Sequence, residues 1–233
     1  MESPTLQEVL RSAAQLQRVV PDAVLVGGAA AAFWAGHRDS FDHDHVLSDL
    51  SERYLEVLEA VEATDGWVTS VRASSPPLTI LGRLGGVEAG LRQLRRTRPL
   101  EVEQVRLDAD NVVTVPTPAE ILRVKAYLVV LRNQVRDYLD VVALAQRYGN
   151  PAAVEVLSGI DDYYVDRSGE PDSVLTSLVQ RLSDPNPRDT VVTSQLPAYR
   201  RLDPRWHDWS AVVQACQELA DGLLAAVEEE QTR

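Results

Sequence analysis

The sequence predicts an α/β (α+β) protein, with a mixed sheet and helices in the first half and a helical remainder. Two observations predict this. Short apolar runs that suit strands, such as "AVLV" at 23–26, "LEVEQVRL" at 100–107 and "NVVTV" at 111–115, all lie before residue 116. Beyond it the pattern turns helical, opened by a strong start signal at Thr117-Pro118-Ala119-Glu120: Thr as cap, Pro in the first helical position, Glu three after the cap. Such segregation points to a sheet unit over 1–115 and a helical unit over 116–233.

The elements follow in order. Residues 3–19 carry Leu6, Val9, Leu10, Ala13 and Leu16 at helical spacing, and Pro21-Asp22 ends that helix. The strand at 23–26 is closed by Gly27-Gly28, and "AAAAFWA" from Ala29 has good helix propensity. Residues 40–47 read as a second strand. Ser48 is a plausible cap for a helix over 49–63, with Leu50, Tyr54, Leu55, Leu58 and Val61 at helical spacing. Strands and a Gly85-Gly86 turn fill 78–107. From Pro118 a helix runs to about Asn133, and "VRDYLDVVALAQRYG" continues or restarts it up to Gly149. Further helices are expected at 151–163, 172–182 and 209–229, with a loop at 183–189.

Composition bounds the function. The chain has 233 residues, 45% apolar and 25% charged, which suits a globular protein with a sizeable core. It has no apolar run long enough for a membrane span, and "MESPTLQEVLRS" is not a signal peptide. Cys216 is the only cysteine, so neither a disulfide framework nor a thiolate metal cluster is available, and a cytoplasmic location is the default. A net charge of −12 argues against a protein that merely coats nucleic acid. The charge is uneven, however. "LRQLRRTR" at 91–98 carries Arg92, Arg95, Arg96 and Arg98 without an acid, which fits either a local site for a polyanion or a solvated face.

The densest chemistry is "GHRDSFDHDHVL" at 36–47, with three Asp and three His. On a strand, alternation sorts them. Ser40, Asp42 and Asp44 share one face, and Phe41, His43 and His45 share the other. Two carboxylates at i and i+2 lie about 7 Å apart and can reach one divalent cation, and oxygen donors suit Mg²⁺. Asp-x-Asp alone is a weak signal. Gly28 stands fourteen residues before Asp42, after a strand and before a helix, where glycine lets backbone N–H groups approach a phosphate.

These residues resemble a known family. Apolar-Gly27-Gly28, a short helix, then Arg38, Ser40, Asp42 and Asp44 are similar to the nucleotidyltransferase superfamily, in particular the AbiEii-like toxins that include the mycobacterial MenT group. A second block matches too: Lys125, Arg132, Arg136, Asp137 and Asp140 in "EILRVKAYLVVLRNQVRDYLDVVAL". On one uninterrupted helix Lys125, Arg132 and Arg136 would lie within about 40° of each other, with Asp140 about 60° from Lys125. A Lys in so apolar a turn needs a partner, since burying a lone ammonium is unfavourable; a triphosphate or Asp140 would serve.

The resemblance, which covers roughly residues 20–147, implies a polymerase-beta-like fold and Mg²⁺- or Mn²⁺-dependent transfer of a nucleotide from an NTP. It implies Asp42 and Asp44 as metal ligands, Gly27, Gly28, Arg38, Ser40, Lys125 and Arg136 at the nucleotide, and Asp140 orienting Lys125 or activating the acceptor. For the toxins the acceptor is typically the tRNA 3′ end, so an RNA acceptor, a block of translation and a cognate antitoxin are expected, with Arg92, Arg95, Arg96 and Arg98 as candidate RNA contacts. The helical region would complete the active site. A third acid on a neighbouring strand is common in related transferases, and Glu101 or Glu103 could supply it. Where the family usually has apolar residues around the acids, this chain has His43 and His45. Two alternatives remain: transfer to a small molecule such as an antibiotic or to a protein hydroxyl, and a zinc-dependent hydrolase using His37, His43 and His45.

Overall fold

A computed structural model describes residues 4–165 and 172–232. The chain divides into two compact units. The first comprises Met1–Phe33 and Asp39–Thr117, the second Trp34–Arg38 and Pro118–Arg233.

The first unit opens with α1 (Leu6–Val19), held by a reciprocal cap in which Thr5 and Glu8 satisfy each other's backbone N–H groups. Residue 3, where the sequence started this helix, lies outside the described residues. Then come β1 (Val24–Val26), α2 (Gly27–Ala35), β2 (Asp42–Leu47) and α3 (Tyr54–Glu62). The strands β3 (Trp67–Thr69), β4 (Thr79–Leu84) and β5 (Val87–Gln93) complete a five-stranded sheet of order β1-β2-β5-β4-β3. Only β2 and β5 run parallel among its pairs. β6 (Val102–Arg106) and β7 (Val112–Pro116) form a separate antiparallel pair. Leu16, Val20, Leu47, Leu50, Val57, Val61, Ile80, Leu84 and Leu91 build one buried core where α1 and α3 cover the sheet.

The second unit is helical: α4 (Pro118–Arg132), α5 (Val135–Tyr148), α6 (Asn150–Ser158), α7 (Val174–Ser183) and α8 (Trp209–Gln231), with 3-10 turns between some of them. Helix α4 packs on α5, α6 and α7, and α8 packs on the same three. Ile121, Leu122, Leu139, Leu157, Leu178, Val212, Leu219 and Leu223 fill the interior, with Cys216 among them. Tyr138 meets Trp209 edge to face at 5.9 Å between ring centres.

One expectation changes, one strand is added, and the choice between a continued and a restarted helix is resolved. Ser48 caps no helix; α3 starts at Tyr54, after a turn-rich stretch in which the Asp49 carbonyl accepts from the N–H groups of Glu52 and Arg53. β3 had no sequence signal, because three residues are too few to show a period. The second block is not one helix. Asn133, with φ of 53°, breaks it, and α5 restarts two residues later. The 40° and 60° separations that assumed an unbroken helix therefore do not hold.

Candidate active site

In the first unit the acids sit on β2. Burial alternates along it, with His43, His45 and Leu47 buried and Asp42, Asp44 and Val46 part-exposed. Asp42 and Asp44 thus share the open face, as expected of a period-two element. The register brings glycine to Asp44 from both neighbouring strands. Val26 pairs with Asp44, so Gly27, the next residue, arrives beside its carboxylate. The chain passes from β1 into α2 at Gly27 without a loop, which requires φ of +73° there, a conformation that favours glycine. On the other side, Gly90 of β5 pairs with Asp44. A Cβ at Gly90 would lie 2.5 Å from Asp44 Oδ1; the missing side chain is the space the carboxylate occupies. Arg92 Nε donates to the same Oδ1 at 3.1 Å.

Two part-exposed carboxylates on one face, one seated in a glycine cradle, are the oxygen donors a hard divalent cation takes, so these residues fit Mg²⁺ or Mn²⁺. Ser40 lies before β2, is buried, and donates to Asp42 Oδ1 at 3.2 Å. Glu101 and Glu103 belong to the β6–β7 region, whereas β2 is hydrogen-bonded to β1 and β5. Among the described residues, no group of three or more His, Cys, Asp and Glu is placed to hold a metal ion.

The zinc reading fails on where its three histidines sit. His43 and His45 point into the core, and their rings meet edge to face at 5.2 Å. His43 Nε2 is 3.0 Å from Ser12 Oγ. Burial pushes the His43 imidazole down to about 4, against the opposing charge of Asp42. Burial and the nearby His43 hold His45 well below the usual imidazole range. His37 is committed elsewhere, to Asp140.

The second unit has its own buried cluster, centred on Asp140. Arg38 grips this carboxylate with Nε at 2.8 Å from Oδ1 and Nη2 at 3.0 Å from Oδ2, and Lys125 Nζ lies 2.7 Å from Oδ2. His37 Nε2 lies 2.8 Å from Oδ1. A carboxylate can only accept, so His37 donates from Nε2. Burial on its own would raise the Asp140 carboxyl; Arg38, Lys125 and His37 outweigh it and hold the group well below the carboxylate range. Burial likewise lowers His37, against the pull of Asp140. Arg132 forks onto Asp137, with Nη2 2.6 Å from Oδ1 and Nε 3.2 Å from Oδ2. Arg136 is part-buried on α5.

The structure therefore joins Asp140 to Lys125, and adds Arg38 and His37 as partners that side-chain spacing could not reveal across 102 and 103 positions. It separates the four basic residues: Arg92 binds Asp44, and Arg96 is buried with Nε and Nη2 on the carbonyls of Arg98 and Pro99. Arg95 and Arg98 are exposed. Gly90 was missed. A lone glycine inside a strand pattern is the signal that marks close approach, and it could have been found.

This arrangement of sheet and helices is the nucleotidyltransferase fold. MenT4, a nucleotidyltransferase toxin from Mycobacterium tuberculosis H37Rv, matches with a TM-score of 0.60 and 18% identity over 94% of this chain and 82% of its own. An antigenic nucleotidyltransferase-like protein from Paracoccidioides brasiliensis matches at 0.51 and 17% identity over 88% and 97% of the two chains. JHP933 from Helicobacter pylori matches at 0.55 and 14% identity over 97% and 93%. No protein-family profile matches the chain.

Sequence comparison finds different relatives. A heme uptake protein, MmpL11 of Mycobacterium tuberculosis, is 32% identical over 195 residues, which is 80% of this chain. A mycolic acid-containing lipids exporter, MmpL11 of Mycolicibacterium smegmatis, is 33% identical over 132 residues, 56% of this chain. The chain spans only 20% and 13% of those two proteins. Among the described residues, no helix is long and apolar enough to cross a membrane.

Proposed function

We propose that the chain is a metal-dependent nucleotidyltransferase of the toxin type: the hydroxyl of an RNA acceptor, the tRNA 3′ end, attacks the α-phosphate of an NTP, the nucleoside monophosphate is transferred and pyrophosphate leaves. The observation that carries this reading is the acid pair on the open face of β2, with the Gly27 turn beside Asp44. The fold shared with MenT4, a nucleotidyltransferase toxin, supports it. The transport and lipid export named for the MmpL11 proteins belong to much longer chains, of which this one matches a fifth or less.

In this reading Asp42 and Asp44 would hold Mg²⁺ or Mn²⁺. A metal bound there would supply positive charge against that developing on the α-phosphate and help align the acceptor hydroxyl. Gly27 and Gly28 open α2, and the N–H groups of a helix start favour an anion such as phosphate. Ser40 fixes Asp42 through its hydroxyl. The resemblance assigns Lys125 to phosphate as a point charge; its buried ammonium is held by Asp140, which fixes its direction. Arg38 and His37 hold Asp140 in turn, while Arg136 is a candidate phosphate contact. The exposed Arg95 and Arg98 are basic candidates for RNA backbone, and binding through them would weaken with salt. Loss of a chargeable tRNA end would stop translation, which calls for a cognate antitoxin in the host.

The test is incubation of the purified chain with Mg²⁺, each labelled NTP and either tRNA or total RNA. Label on tRNA that disappears with Asp42→Ala is the expected outcome. No label on any RNA with all four NTPs would sink the RNA acceptor.

A further inference from the structure

The sequence offered Arg92 as a contact for RNA, yet its side chain turns to an acid of its own sheet. β2 and β5 run parallel, with Asp44 across from Gly90 and Val46 across from Arg92. Residues so paired share a face, so Arg92 stands on the open side with the two acids. From there it reaches back past Gly90 and donates from Nε to Asp44 Oδ1. The oxygen it meets is the one that fills the place of the absent Gly90 side chain. Gly27 lines the other oxygen, 3.4 Å from where its Cβ would lie. Asp44 is thus aimed by its surroundings, and Arg92 is the cation on it.

Two arginine–aspartate pairs, Arg38–Asp140 and Arg92–Asp44, differ in kind. Arg38 and Asp140 are 2% and 0% exposed, so that pair is built into the interior. Arg92 and Asp44 are 46% and 31% exposed. Water screens such a pair and it exchanges readily. A guanidinium and a divalent cation on the same carboxylate oxygen repel each other, so each weakens the hold of the other.

We propose that Arg92 is a positioning residue that holds the Asp44 carboxylate over Gly90 and competes with the divalent cation for it, setting the metal concentration at which the acid pair fills. This rests on the reading of Asp42 and Asp44 as metal ligands. Arg92 also offsets the repulsion between the two acids before a metal arrives. It therefore keeps Asp44 aimed and keeps its affinity for cations moderate.

The experiment is Mn²⁺ titration of the full chain without nucleotide, read by the electron paramagnetic resonance signal of free Mn²⁺. It uses wild type, Arg92→Gln, Arg92→Lys, Asp42→Asn and Asp44→Asn, with thermal unfolding recorded alongside. Arg92→Gln should bind Mn²⁺ about two- to fivefold more tightly, the size of an exposed ion pair. Arg92→Lys, which keeps the charge without the Nε donor, should fall between it and wild type. A merely structural arginine would lower the melting temperature without tightening Mn²⁺. Unchanged or weaker Mn²⁺ binding in both Arg92 variants, with wild-type binding that depends on Asp42 and Asp44, overturns the role of Arg92 alone. Wild-type binding no better than that of Asp42→Asn and Asp44→Asn overturns the acid-pair reading and this proposal with it.

Discussion

Asp44 and Asp140 are both aspartates held by arginine, and their surroundings give them opposite characters. Asp140 is enclosed, and three partners satisfy it; removing Asp140 itself would leave the buried Arg38 and Lys125 uncompensated, which is strongly destabilising. Asp44 is open, and its position depends on an absence, the side chain that Gly90 lacks. Gly90→Ala tests this. An added methyl would lie 2.5 Å from Asp44 Oδ1 and 3.0 Å from Leu81 Cδ2. The carboxylate is the short, movable neighbour, so it turns away while the strand stays. The expected result is a melting temperature near that of wild type with nucleotidyl transfer down about tenfold or more, since small displacements of reacting groups are this expensive. Wild-type activity in a folded Gly90→Ala chain would refute the cradle. The acids themselves were legible in the sequence, because alternation along a strand is local. The cradle was not, since Gly90 comes from a strand forty-six positions on whose register no local pattern states.

At the scale of elements, the decisive feature is the break between α4 and α5. Asn133 takes a left-handed conformation and anchors the corner through its side chain. Its Nδ2 donates to the carbonyl of Asn186 at 2.8 Å, and its Oδ1 accepts from the Tyr138 hydroxyl at 2.6 Å. Asp189 accepts from the Val135 N–H and so serves the first turn of α5. Asn133→Ala should lower stability by roughly 2–4 kcal/mol, combining a left-handed alanine with a buried tyrosine hydroxyl left unsatisfied. Asn133→Gly should recover the backbone part, and chemical denaturation would separate the two. Equal stability of the alanine variant and wild type would remove Asn133 as the anchor. Lys125, Arg132 and Arg136 read as one stripe only on a straight helix. The break gives Arg132 to Asp137 instead, while Lys125 keeps Asp140. A continuous apolar pattern with one asparagine does not say which way the chain turns, because the carbonyls and side chains that stabilise the turn come from residues 186–189.

At the scale of the whole molecule, the buried imidazoles set how the chain responds to acid. The fold keeps His43 neutral down to about pH 4, whereas an unfolded histidine takes up its proton near 6.5. The unfolded chain therefore binds more protons between these values. The stability from His43 is fully present above pH 6.5 and is lost as the pH falls towards 4, by roughly 3 kcal/mol in all. His37 and His45 shift in the same direction and add to the loss. Melting temperature followed from pH 7 to 4 should fall steadily, and His43→Gln should flatten the slope. A flat profile in wild type would contradict neutral burial of these rings. The stretch that looks most like a metal site in sequence thus carries two functions on two faces: acids outward, and imidazoles that plug the core.

The sequence by itself determined the alternation that puts Asp42 and Asp44 on one face, the order of sheet then helices, and the start of α4, because period, capping and proline act within a few residues. The tertiary structure alone decided that Gly90 seats Asp44, that Arg92 binds it, and that Arg38 and His37 converge with Lys125 on Asp140. Apart from Lys125 on Asp140, those contacts join residues 46 to 103 positions apart, and their geometry follows from strand register and helix packing, which depend on the folded chain as a whole.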